Sequence, residues 1–438
     1  MSMWAERLSV YLMRVLVFCI PIQLGLHFWP QWALFLGRRI DYLSPTLYLT
    51  DCLAFSAMIF YAFARVRFQK FKRLRSKKNI VYGVLILIVF SIAVLNIFNA
   101  ISWQVSVYRW IKVALFGFVT FYVATHKSEA KHYLQALVAG ALFSSVLAVA
   151  QFVKQQSIGS IFWFVGERLF SINTPLIARG HVCMPFTESC TLMLRPYATF
   201  AHPNLLGGYL SVALFLLIAK IRKNRVHIFT IAAMIFLGIA LLLTMSRAAI
   251  VVASLLFIWR YAFFIRDTPH LFTKWIVVVP FFMIIVSLFF VLPFSSTDES
   301  ILVRTNLNFA ATRVIANHWA LGVGLGNFVL SLKGIQSGVF FATIQPVHNV
   351  YLLALAELGL VGIVGLIGAA GTLWRTIKHK MIRMNKDASL YAASLAALGA
   401  IGLFDHYMWT LQQGQLLTSV LIGLYISSRV PSEYNNCK

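Results

Sequence analysis

The chain has 438 residues, of which 60% are hydrophobic and 12% charged, and it carries a formal net charge of +25. An average soluble domain is roughly 25% charged, so this composition excludes a soluble fold and makes the bilayer the solvent. The positive excess does not point to nucleic acid, because it gathers in short segments between apolar runs, where it fixes topology beside anionic lipid.

Taken in chain order, the apolar runs predict an all-α membrane protein of about twelve transmembrane helices. They fall near 8–28, 46–64, 80–98, 107–125, 133–152, 204–220, 227–243, 248–265, 274–294, 348–374, 388–408 and 412–428. No short charged segment with a small-residue cleavage site opens the chain, and Val15–Leu26 runs into Trp29–Pro30, so the first segment is read as retained. With the N-terminus inside, the inner segments are 65–79, 126–132, 220–226, 266–273, 375–387 and 429–438. Together with Arg7, Arg260 and Lys274 they hold 25 of the 38 Lys and Arg residues. The positive-inside rule therefore predicts a multi-pass protein of the bacterial inner membrane with both termini cytoplasmic.

Two outer connections are long, 153–203 and 295–347, and long structured loops in compact proteins are usually functional. The first holds Cys183 and Cys190, close enough for a disulfide on an oxidising side of the membrane. The second holds a helical stretch, Ile301–Ala320, ahead of Gly322-Val-Gly-Leu-Gly326. That glycine run is not a nucleotide loop, since no strand precedes it and ATP is absent outside. No Cys/His spacing suggests zinc, and no paired carboxylates stand at hydrolase spacing.

The charged residues left on the outer side form a short set. Arg195, His202 and Asn204 lie in Leu194-Arg-Pro-Tyr-Ala-Thr-Phe-Ala-His-Pro-Asn-Leu-Leu-Gly-Gly208, where His202 and Asn204 read either as substrate contacts or as caps of the next helix. Arg247 lies in Leu242-Leu-Thr-Met-Ser-Arg-Ala-Ala-Ile250, a tight turn between two apolar runs. An ionised guanidinium there is costly, and it is either a snorkelling anchor or a clamp for paired phosphate oxygens. Arg304 and Arg313 are about 2.5 turns apart on one helix and so point to opposite faces. His348 opens the tenth apolar run, where the helix dipole lowers proton affinity, so a neutral imidazole at this position is placed to accept a hydroxyl proton or to cap the helix. Glu357, further along the same run, reads as structural, and Asp405–His406 as a simple pair.

Four segments together resemble the superfamily of O-antigen ligases and polymerases, which includes bacterial protein O-oligosaccharyltransferases. They are Arg195-Pro-Tyr-Ala-Thr-Phe-Ala-His-Pro-Asn204, Thr244-Met-Ser-Arg-Ala248, Arg304 followed by Gly322-Val-Gly-Leu-Gly-Asn-Phe328, and His348-Asn-Val-Tyr-Leu with Glu357-Leu-Gly-Leu360. The likeness covers 190–365, and Trp319 departs from it where the family often has proline. The resemblance implies an undecaprenyl diphosphate glycan as donor and no metal, nucleotide or other cofactor. It implies a glycan, lipid A core or protein as acceptor. It assigns Arg247 and Arg304 to the diphosphate and His348 to acceptor activation. Arg195, His202, Asn204, Ser246, Arg313 and Asn349 are further candidates for substrate contact. An O-antigen ligase-like transferase is the leading expectation, with polymerase or oligosaccharyltransferase as alternatives. A flippase or transporter is a reading of another class, kept open by Arg109 and Lys112 near the fourth apolar run, and a non-catalytic scaffold is a third.

Overall fold

The computed structural model describes residues 2–66, 77–183, 190–219, 227–260, 299–334, 344–378 and 385–429. The molecule is mostly helical. In chain order the main helices are α1 (Ser2–Phe18), α2 (Leu49–Val66), α3 (Lys77–Phe98), α4 (Trp103–Thr125), α5 (Ala130–Lys154), α6 (Pro203–Ala219), α7 (Ile228–Leu243), α8 (Arg247–Arg260), α9 (Glu299–Asn317), α10 (Phe328–Ser331), α11 (Val350–Lys378), α12 (Lys386–Ile401), α13 (Tyr407–Thr410) and α14 (Gln412–Arg429). Three described helices, Trp103–Thr125, Lys127–Lys154 and Val350–Arg375, are long and apolar enough to cross a membrane; Gly83–Phe98, Pro203–Ala219 and Ile228–Leu243 are shorter apolar helices. The expected segment 274–294 lies outside the described residues.

At the centre stands α6, buried along almost its whole length, as expected of a helix that is apolar all round. It packs against α5, α7, α8 and α12. Its second turn tolerates this because Gly207 and Gly208 have no side chain. A Cβ on Gly208 would lie 1.9 Å from the Tyr407 hydroxyl, and one on Gly207 would lie 3.0 Å from the Cβ atoms of Ala249 and Ser246. Around this core, α1 packs on α2 and α5, α4 on α14, and α11 on α3 and α9.

Two expected segments are corrected. The run 8–28 is not one helix: α1 ends at Phe18, Pro21 follows, and Gly25–His27 forms a strand, β1, paired antiparallel with Thr46–Tyr48. Proline removes a donor and stops the helix, and the two short strands then satisfy the backbone. The run 388–408 also breaks, with α12 ending at Ile401 and Asp405–His406 lying in a turn before α13. Between α5 and α6, strands Arg179–Cys183 and Cys190–Leu194 form a hairpin that sets Cys183 opposite Cys190, and Cys190 is disulfide-bonded.

The glycine run has a structural partner that pattern alone does not reveal. Helix α11 is broken at Gly359, which has φ 64° and ψ 179°. The freed carbonyls of Ala356 and Glu357 accept from the N–H groups of Val323 and Gly324, at 2.9 and 3.0 Å. The freed N–H groups of Leu360 and Val361 donate to the carbonyls of Trp319 and Ala320, at 2.8 and 3.0 Å. The loop thus pairs with the unwound helix turn much as strands pair, so that no backbone group is stranded in apolar surroundings. Asn96 completes the joint, donating to the Glu357 carbonyl at 2.9 Å and accepting from Leu325 N at 2.8 Å. The Glu357 carboxylate accepts from Trp409 Nε1 at 2.8 Å, which gives it the structural place expected of it. A Cβ on Gly359 would sit 2.4 Å from the Ala320 carbonyl oxygen. Gly359→Ala is therefore expected to destabilise the fold by about 2–4 kcal/mol, from left-handed backbone strain plus overpacking. A thermal melt in detergent that matches wild type would refute this.

Candidate active site

The polar residues singled out from the sequence meet at the end of the bundle where α6, α8 and α11 begin and α12 ends. The Thr244–Arg247 turn is tight: Met245 has φ 49°, and the Thr244 hydroxyl accepts from Ser246 N at 3.3 Å. Arg195 fixes that turn by donating Nε to the Thr244 carbonyl at 2.8 Å, and its Nη2 donates to Asn204 Oδ1 at 2.6 Å. Asn204 in turn donates Nδ2 to Asp405 Oδ2 at 3.0 Å. A chain of side chains therefore runs from the arginine turn to the turn after α12.

Arg247 is the first residue of α8 and is half-buried. A cation at a helix N-terminus opposes the macrodipole, so this is a poor place for arginine on stability grounds alone and a good one for binding an anion. Arg304 reaches in from α9, donating Nη1 to the Phe404 carbonyl at 2.9 Å. Burial, with smaller contributions from the charges of Arg304 and Arg247, lowers the pKa of Arg195 to about 10 against the opposing effects of Tyr197 and Asp405. The other two guanidiniums thus act on Arg195.

His348 lies on the other side of the Asp405 turn. Its ring centroid is 5.1 Å from that of His406, and its buried Nδ1 has no hydrogen-bond partner among the described residues. Burial, then His406 and Arg304, pull the His348 pKa down to about 3, against the attraction of Asp405. His202 is held at about 3 by burial and by Arg195. Burial alone would raise the Asp405 carboxyl, but His406, His348, His202 and the Asn204 amide hold it below the ordinary carboxylate range. At neutral pH the site is three guanidiniums, one carboxylate and uncharged imidazoles. Among the described residues no group of three or more His, Cys, Asp or Glu side chains is arranged to hold a metal ion.

These shifts fix the sign of two pH effects. A base with a folded pKa near 3 stays unprotonated throughout mild acid, so activity that depends on neutral His348 should be flat between about pH 5.5 and 7.5. A limb falling near pH 6.5 in kcat/KM would contradict it. Stability behaves differently. His202 and His348 have folded pKa values below the unfolded value of about 6.5, so the unfolded chain binds more protons and stability is lost as pH falls below that value towards 3.

Other expected residues are placed elsewhere or otherwise employed. Arg313 lies exposed, its guanidinium 4.5 Å from the Phe309 ring centroid. Its position on the face opposite Arg304 follows from helical spacing. Asn349 caps α11, its Oδ1 accepting from Tyr351 N and Leu352 N at 2.9 and 3.0 Å. His202 caps α6 through Nδ1, which accepts from Asn204 N at 3.1 Å. Ser246 is buried against Gly207. Lys112 is paired with Asp51 and also donates to Gln412 Oε1 at 3.2 Å. Arg109 donates to the carbonyls of Thr410 and Tyr42 at 3.1 and 2.5 Å.

Asp405 and His406 are the members that sequence reasoning passed over. They do interact as the expected pair, the Asp405 carboxylate accepting from His406 N at 2.8 Å, but each also has a partner outside it. The Asp405 carboxylate meets Asn204, and His406 Nδ1 lies 2.7 Å from Thr410 Oγ1. The available signal was a buried-type acid at the end of an apolar run, which needs a partner from outside that run.

Residues 231–367 match the family model described as O-antigen ligase. A search of curated proteins found no match. The matched stretch contains Arg247, Arg304, the glycine run, His348 and Glu357. The residues that complete the cluster, Arg195, His202, Asn204, Asp405 and His406, lie on either side of it.

Proposed function

We propose that this membrane protein, similar over 231–367 to O-antigen ligases, transfers a glycan from an undecaprenyl diphosphate carrier to an acceptor hydroxyl. The reaction takes place at the periplasmic face of the inner membrane, in a chain of about twelve spans with both termini cytoplasmic. What carries the reading is the convergence of Arg195, Arg247 and Arg304 with His348 and Asp405 in one half-buried cluster. The acceptor oxygen attacks the anomeric carbon, the bond from that carbon to the diphosphate oxygen breaks, and the hydroxyl proton passes to His348. Arg247 and Arg304 stabilise the charge that develops on the departing diphosphate. One in-line displacement inverts the anomeric centre. Arg195 holds the turn that carries Arg247 and adds a third positive charge.

Lipid A core is the acceptor we favour, which makes the chain ligase-like; a growing polysaccharide or a protein hydroxyl are the alternatives within the same superfamily. The test is transfer by the full chain in liposomes, supplied with an undecaprenyl diphosphate glycan and, in turn, lipid A core, free glycan and a serine-containing polypeptide. Product with lipid A core supports the ligase reading. Product with another acceptor moves the chain to polymerase or oligosaccharyltransferase. Product with none, at normal protein levels, overturns the transferase.

A further inference from the structure

We propose that a cleft beside the cationic cluster, built largely from the first third of the chain, is a saccharide-binding subsite. The cleft offers about 110 Å³ of free space, below the size of a whole small-molecule site, so it is a subsite for part of a ligand. It opens between the β1 region, α4 and the α13–α14 turn. Its walls are polar or aromatic almost throughout, with Ala201 and Leu411 the apolar exceptions. Tyr42, Tyr48, Tyr108 and His27 contribute rings to the lining, while Gln23, Gln412 and Gln415 contribute amides.

Three features favour sugar over other occupants. First, the charges largely cancel: Lys112 pairs with Asp51, Arg168 lies 3.7 Å from Asp41, and Arg109 is spent on two backbone carbonyls. Unlike the arginine cluster, the cleft is therefore not an anion trap. Second, its described lining carries only Ala201 and Leu411 as apolar side chains, few for anchoring a lipid tail or a peptide side chain. Third, its walls are preset. Tyr108 donates to the Thr46 carbonyl at 3.1 Å, and Gln412 donates to Asp51 Oδ1 at 2.7 Å. Among the described lining residues, Gln23 Oε1 is buried with no hydrogen-bond partner. An unpaired buried acceptor costs stability unless a ligand donor fills it, and a sugar hydroxyl is such a donor.

The cleft also leads to the reacting groups. Tyr42 in its wall lies 5.4 Å, centroid to centroid, from His406, which lies 5.1 Å from His348. Thr410, also in the wall, hydrogen-bonds His406 at 2.7 Å. A sugar seated there can present a hydroxyl or an anomeric carbon towards His348. That orientation rests on the transfer reading above; the occupancy of the cleft by sugar does not.

The experiment places a benzophenone amino acid at His27 and, separately, at Asp41 on the exposed rim, in the full chain in its native host's membranes. Exposed Leu176 serves as the control position. After irradiation, adducts at His27 and Asp41 are expected to carry periodate-sensitive glycan mass, at least tenfold above Leu176. A second arm uses a host unable to make the lipid diphosphate glycan: adducts that persist identify an acceptor sugar, and adducts that vanish identify the donor's sugar. Gln23→Leu is expected to reduce the His27 adduct about tenfold, the effect of one hydrogen bond, while leaving the melting temperature at or above wild type. Adducts of phospholipid or polypeptide alone, or none at either position at normal protein levels, overturn the subsite. So does a Gln23→Leu protein with an unchanged adduct. Failure of transfer in liposomes, with glycan adducts intact, would sink the reaction and leave the subsite standing.

Discussion

Arg247→Ala is expected to lower the turnover of glycan transfer about 10²–10³-fold, the usual loss when one preorganised charge donor is removed from a reacting group. Arg247 opens α8, where the helix dipole disfavours a cation, so the dipole itself does not oppose its removal. Turnover is therefore compared at matched amounts of folded protein. Arg247→Lys should recover only part of the loss, because an ammonium cannot match two phosphate oxygens in one plane. Arg304→Ala should also abolish most activity, but it removes the bond to the Phe404 carbonyl and so is expected to lower the melting temperature as well. Arg313→Ala, exposed and remote from the cluster, should leave transfer within twofold. Turnover is read with the lipid diphosphate glycan and the accepted acceptor in liposomes. An Arg247→Ala protein that transfers at the wild-type rate would remove the diphosphate role.

The cost of isolated charge made part of this site legible in advance. Arg247, Arg304 and His348 stood out because ionisable groups at the edge of apolar runs need partners or work. Helical spacing set Arg304 and Arg313 on opposite faces, and the resemblance assigned Arg304 to the site. By contrast, Asp405 and His406 are adjacent in sequence, which suggested that each satisfied the other, and only the packing of α12 against α6 and α8 shows that Asp405 is bound to Asn204. The glycine run was legible as irregular backbone. Its role as the pairing partner of the α11 break was not, because Gly359 lies within a run that reads as continuous helix. The same limit hid the end of α1: hydropathy continues to Leu26 while Pro21 and the β1 strand turn the chain. The polar cleft was least legible of all, since its walls come from residues near 23, 41, 108, 168 and 410. Periodicity reports which face of one element is apolar, but not which faces of five elements enclose a space.

His348→Ala is expected to cost about 10²–10⁴ in turnover, the range for a positioned general base. The depressed pKa and an Nδ1 without a hydrogen-bond partner among the described residues together describe an imidazole kept uncharged. Such a base is weak until the donor binds. A bound diphosphate would cancel the field of Arg304, one of the groups holding the pKa down, so proton affinity should rise when the donor is in place. Asp405 then completes the device as a positioning residue. Its carboxylate attracts the proton that His348 takes up, and Asn204 ties it to Arg195 on the diphosphate side. Asp405→Asn keeps the shape and the hydrogen-bonding capacity while removing the charge. It should lower turnover on the order of tenfold for each pKa unit of basicity lost at His348, with little change in KM. A merely structural Asp405 would instead show a lowered melting temperature with turnover per folded molecule unchanged. For His348 the decisive readout is single-turnover transfer with preloaded donor: a His348→Ala protein that forms product at the wild-type rate would take the proton acceptor out of the mechanism.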